Sequence, residues 1–164
     1  WTWAIKKALE DSDKGIKPNY QCALAATVPA QHQGKELSPF VLKMMKSVGI
    51  RNGLKALLAP VRPSEKHKYP LIDFAEYCSW KREDGQFVDA WLRMHQRLGA
   101  KVIKPCFSSL DIVGSADDWK EWTGLAFHSS GAYVVAKGLV PVKFDLQTDT
   151  GRYLEPNLWM IHPF

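Results

Sequence analysis

The stretch Val28-Pro29-Ala30-Gln31-His32-Gln33-Gly34-Lys35-Glu36-Leu37-Ser38 brings together what a phosphate needs. Ser38 is a good N-cap and Pro39 suits the first position of a helix. A helix start presents unpaired backbone N–H groups and the positive end of its dipole. A glycine just ahead of it, Gly34, lets the backbone approach an anion closely. An ordinary strand-to-helix turn has the same composition, so on the residues alone both readings stay open. Elsewhere the chemistry-bearing residues are scattered. His95 could exchange protons near neutral pH, but it sits on an apolar helix face, where a hydrogen-bonded core histidine is the commoner outcome. Tyr69, His67, Glu65 and Glu83 lie in an irregular polar stretch. Cys106 follows Pro105 and could serve as a nucleophile beside His95, although buried cysteines are usually inert.

The elements that must position these residues read as follows. Trp1 to Asp13 has amphipathic helix spacing, with Trp1, Ile5, Ala8 and Leu9 on one side. Tyr20 to Val28 is nearly all apolar and predicts a strand buried on both faces. Val41, Met44, Met45 and Val48 follow i, i+3, i+4, i+7 and predict the buried stripe of a helix ending at Asn52-Gly53. Leu54 to Val61 returns as a strand, completing a βαβ unit with parallel strands. Arg62 to Val88 is irregular, with a short helix around Leu71 to Trp80 and an Asp84-Gly85 turn. A helix over Asp89 to Leu98 carries Val88, Trp91, Leu92, His95 and Leu98 on one face. A strand is expected over Val102 to Val113. Ser115 caps a helix containing Trp119 and Trp122, with Asp117 and Asp118 in its first turn. Tyr133 to Phe144 and Arg152 to Ile161 read as strands joined by the Gln147 to Gly151 turn. The class is α/β or α+β with a mixed sheet. Trp80, Trp91, Trp119 and Trp122 are expected in the core, and the polar Arg152 to Asn157 segment beside the substrate.

Composition sets the outer bounds. The chain has 164 residues, 46% hydrophobic and 24% charged, with seven tryptophans and a net charge of +5. That suits one soluble domain. The positive charge is dispersed, which argues against a nucleic-acid tail and suits phosphorylated ligands. Cys22, Cys78 and Cys106 are odd in number and form no CxxC pair, so neither a disulfide scaffold nor a metal site is expected. No apolar run has membrane-spanning length. A cytoplasmic setting is expected, with neither membrane nor nucleic acid as partner.

Gln31-His32-Gln33-Gly34-Lys35 resembles the Q/R-x-x-G-x-G/A signature of the GNAT acyltransferase superfamily. The likeness continues through the Leu37-Ser38 helix and the Leu54 to Val61 strand. Where the pattern ends on Gly or Ala, this chain has Glu36, a carboxylate that a bound pyrophosphate requires to point outward. Val88 to Ala100 is similar to a later family helix that often reads N-x-x-A-x-x-L-Y-x-x-L-G-F. Arg97-Leu98-Gly99-Ala100 fits its end, Trp91 and Val88 replace the usual Ala and Asn, and His95 stands at the tyrosine.

The resemblance covers residues 20 to 112. It implies a single GNAT-like domain over 1–164, a mixed sheet flanked by helices, with an insertion at about 62–87 and an extra C-terminal hairpin at about 133–161. The family's first strands would be missing, making this an N-terminally shortened member. The apolar surface so exposed would be covered by the Trp1 to Asp13 helix or by a second chain in a homodimer. The resemblance further implies acetyl-CoA or another acyl-CoA as co-substrate, no metal, and a small-molecule amine acceptor attacking the thioester directly. Gln31, His32, Gln33, Gly34, Lys35, Leu37 and Ser38 would hold the cofactor, and backbone N–H groups near Thr27 and Val28 would polarise the thioester carbonyl. His95, or Tyr69 reaching in from the insertion, would protonate the leaving thiolate. Two alternatives are an acyl-thioester domain that transfers to a thiol or decarboxylates, and a non-catalytic interaction module.

Overall fold

The computed structural model describes residues 1–32, 35 and 37–164, with Ala30 by its backbone alone. The helices are α1 (Thr2–Asp13), α2 (Leu37–Arg51), α3 (Phe74–Ser79), α4 (Ala90–Arg97) and α5 (Ala116–Thr123). The strands are β1 (Gln21–Cys22), β2 (Ala56–Val61), β3 (Lys101–Gly114), β4 (Gly131–Tyr133), β5 (Val142–Asp145) and β6 (Thr150–Pro163). They form one mixed sheet organised on β6. One edge of β6 pairs antiparallel with β3 along most of its length. The other pairs with β5 near Arg152 and with β2 from Leu158 to Pro163. β1 runs parallel to β2, as expected of a βαβ unit. The Arg152 to Ile161 strand is therefore the sheet's centre.

The register explains the core. Ala59 faces Met160 and Val61 faces Leu158, so these four side chains share one face. α3 and α4 cover that face with Phe74, Tyr77, Cys78 and Leu92. A second cluster forms where Trp119 of α5 meets Phe127, Val142, Phe144 and Tyr153. α5 starts where expected: Ser115 accepts from the Asp118 N–H, and Asp118 reciprocates on the Ser115 N–H. That capping box satisfies two otherwise unpaired donors.

Five expectations need correction. The buried strand over Tyr20 to Val28 shrinks to Gln21–Cys22, with one further bond from Ala23 N–H to the Leu58 carbonyl. Alanine has weak strand propensity, and the chain then leaves β2. α2 begins at Leu37, so Ser38 and Pro39 lie inside its first turn. It buries Leu42 and Gly49, whereas Met44 and Val48 are exposed. Tyr133 to Phe144 splits into β4 and β5 around a turn in which Lys137 adopts φ 60°. Trp122 lies outside the core, 53% exposed. α1 forms but buries no residue, and its Leu9 faces solvent. Among the described residues no strand precedes Gln21, and no helix is long and apolar enough to cross a membrane.

Candidate functional site

β1 and β2 separate after Cys22 and Leu58, and the parting opens a cavity of about 1090 Å³. One wall is the chain from Ala23 to Val28. The opposite wall is the end of β2, from Ala59 to Val61, and Arg62 just after it, with Glu155 and Asn157 of β6. The start of α2 contributes Leu37, Ser38 and Pro39, and α4 contributes Trp91, Met94 and His95. The Trp1 indole donates to the Leu24 carbonyl at 2.8 Å, fixing the first wall. The parting sets the Ala23 to Val28 chain beside an apolar slot and the start of α2.

The sequence-derived site residues divide. Thr27, Val28, His32, Leu37 and Ser38 line the cavity, as does His95. Gln31 and Lys35 are described but do not line it. Gln33, Gly34 and Glu36 lie outside the described residues. Tyr69 sits instead in an aromatic group, 5.1 Å from Trp80 and 5.8 Å from Tyr77 by ring centroids. Tyr69 does not line the cavity that His95 lines. Glu65 is engaged by Lys68 at 2.7 Å, and neither it, His67 nor Cys106 lines the cavity. No group of metal-binding side chains occurs among the described residues.

His95 has a partner that spacing could not reveal. Its Nδ1 lies 2.9 Å from Nε2 of His162, on β6, and both rings are buried. The Trp91 ring meets it edge-on, 4.9 Å away. Burial, with the His162 ring second, pushes the His95 imidazole down to about 3. Burial likewise lowers His162. Both rings are neutral at physiological pH, so the pair is a hydrogen-bonded wall carrying no charge.

Asp89 was missed as well, and Glu155 was placed only as part of the polar Arg152 to Asn157 segment, of which Glu155 and Asn157 line the cavity. Asp89 caps α4 by accepting from the Trp91 and Leu92 N–H groups, and also receives the Tyr77 hydroxyl at 2.9 Å and the Glu65 N–H at 2.8 Å. An aspartate just before Ala90-Trp91-Leu92 is an N-cap signal legible in sequence. Glu155 Oε2 accepts from Arg62 Nε at 3.0 Å and from the Tyr153 hydroxyl at 3.0 Å.

No protein-family model matches the chain. In structure it is similar to the loading GNATL domain of CurA from Lyngbya majuscula, with a TM-score of 0.56 and 17% identity over 88% of this chain and 55% of that one. That likeness establishes the fold. In sequence it is 32% identical to arginine N-acetyltransferase avaD of Aspergillus versicolor, over 99% of this chain and 63% of that protein. Its fold is GNAT-like. It spans less than two thirds of the length of that curated relative. In this GNAT-like fold the parallel β1–β2 pair, the α2 that joins them and the cleft at their parting form one unit.

Proposed function

We propose that this chain is an acyl-CoA-dependent N-acyltransferase domain that transfers the acyl group directly to a small amine or guanidine acceptor. The observation that carries the reading is the parting of β1 from β2 beside the start of α2, which makes a slot for a thioester arm with a helix N-terminus at hand. In this reading Leu37, Ser38 and His32 stand near the cofactor's phosphates. The Ala23 to Val28 backbone runs along the arm, where main-chain N–H groups are suited to polarise the carbonyl. The neutral acceptor nitrogen forms a bond to the carbonyl carbon and releases a proton to solvent. The C–S bond then breaks, and its electron pair leaves with the thiolate. His95 acts as a neutral imidazole: with Nδ1 engaged by His162, Nε2 is the nitrogen left to offer the thiolate a hydrogen bond. The name of the A. versicolor relative supports an arginine-like acceptor. A thiol acceptor is the second reading, raised by the shared fold with a loading domain.

Acetyl-CoA at a hundredfold excess over its Kd should stabilise the fold by about 2.7 kcal/mol, because it binds only the native state. For a chain of this size that corresponds to a Tm rise of roughly 5–10 °C. Scanning calorimetry with and without millimolar acetyl-CoA measures it. A flat response, with no heat on titration, would remove the cofactor reading. Mass spectrometry of products from L-arginine and from a pantetheine thiol decides between the two acceptors.

A further inference from the structure

A second cavity, of about 450 Å³, lies on the other side of the Arg62–Glu155 ion pair. Arg62 and Glu155 line both cavities, so this pair is the seam between them. The far side is walled by Trp119, Trp122 and Tyr153, with the 135–138 turn closing it. That turn is tied down. Arg62 Nη2 donates to the Lys137 carbonyl at 2.7 Å, and the Leu139 N–H donates to the Tyr153 hydroxyl at 3.0 Å.

We propose that this second cavity seats the body of the acceptor, and that Glu155 at the seam binds the acceptor's basic nitrogen and directs it into the thioester cleft. The inference rests on the acyltransferase reading above. Both bonds that Glu155 accepts from side chains fall on Oε2, which leaves Oε1 as the oxygen for a ligand. The carboxylate is 17% exposed, so an ion pair there is less screened than on the open surface. Arg62 competes for it but also holds the Lys137 carbonyl, so it can yield one contact and stay in place. Lys137 is exposed and its charge is dissipated in solvent. Trp119 and Trp122 meet edge-on at 5.2 Å, and such rings favour an organic cation over a neutral ligand of equal size. The chemistry recognised is therefore a guanidinium or ammonium on a compact hydrocarbon frame.

The test loads the protein with CoA and titrates L-arginine, agmatine and putrescine, with 1,4-butanediol as the uncharged counterpart of putrescine. At least one cation should bind at least tenfold more tightly than the diol. Glu155→Gln should abolish that preference and raise the acceptor KM by roughly thirtyfold, while the Tm rise given by acetyl-CoA persists. Trp122→Ala, at an exposed position, should raise the same KM severalfold without loss of folding. Loss of the acetyl-CoA shift in the unaltered protein would count against the cofactor reading. Retention of that shift with no cation preference, or with an unchanged KM in both variants, would overturn the acceptor seat alone.

Discussion

Replacing Asp89 with Ala is expected to destabilise the chain by about 3–5 kcal/mol, lowering Tm by roughly 10 °C. The magnitude follows from what the carboxylate satisfies. Asp89 is 2% exposed and caps α4 through the Trp91 and Leu92 N–H groups. Loss of an N-cap alone costs about 1 kcal/mol. The Tyr77 hydroxyl and the Glu65 N–H would also lose their acceptor, and each buried donor left unmade costs about 1–3 kcal/mol. Burial and the adjacent Asp89 raise the Tyr77 hydroxyl well above its ordinary range, as befits a phenol that only donates. Asp89→Asn keeps Oδ1 for the cap but places an amide N–H₂ toward two donors, so it should recover only part of the loss. Urea unfolding of the three proteins measures this. A midpoint for Asp89→Ala within 1 kcal/mol of the parent would show that α4 is held without its cap. Because Trp91, Met94 and His95 all hang from α4, the cleft wall depends on this carboxylate.

The sequence made some of this architecture legible and left other parts open, for reasons that lie in particular residues. Ser115 with Asp118 three positions on is a local signal, and the capping box formed. The Leu54 to Val61 run is apolar and the 102–113 run is rich in Val and Ile, and strands form over Ala56–Val61 and Lys101–Gly114. α2 is different. Val41, Leu42, Met44, Met45, Val48 and Ile50 surround most of the helix, so periodicity allows more than one buried stripe. The sheet chose Leu42 and Gly49 because Gly49 is where Phe164 and Gln21 crowd the helix too closely for a side chain. The Tyr20 to Val28 run was read as a full strand on apolarity, yet its alanines give β2 little to hold. That early parting is what opens the cleft, so the strand reading failed at the place where the site begins.

Site residues were legible only where they lie near one another in sequence. The Val28 to Ser38 stretch announced itself by composition and position, and Thr27, Val28, His32, Leu37 and Ser38 do line the cleft. His95 stood out by a resemblance in one helix, and it too lines the cleft. Its partner lies 67 positions away, on the last strand, and no spacing rule joins them. Arg62 and Glu155 are 93 positions apart and meet only because β6 returns through the middle of the sheet. Antiparallel closure by the final strand is a long-range event, and local pattern carries little of it.

Acidification should weaken the fold through the His95–His162 pair. Burial pushes His95 down to about 3 in the folded chain, against about 6.5 when unfolded. Between those values the unfolded chain binds a proton that the folded chain refuses, so stability falls as pH falls. It is fully present above pH 6.5. His162, lowered by burial and by the charge of Lys46 against an opposing backbone hydrogen bond at Leu98, acts in the same direction. From pH 6.5 to pH 5, above the main carboxylate range, His95 alone should cost about 1.5 kcal/mol. His95→Gln removes one of the two titrating groups and retains a hydrogen-bonding side chain for His162. Its stability at pH 7 will be lower, because the ring contact with Trp91 is lost. Its loss between pH 6.5 and 5 should nevertheless be smaller than the parent's by about 1.5 kcal/mol. Urea midpoints for both proteins at half-unit pH steps give the two slopes. Equal slopes would show that His95 titrates normally in the folded chain, which would require water to reach the ring and would open the cleft wall at that point.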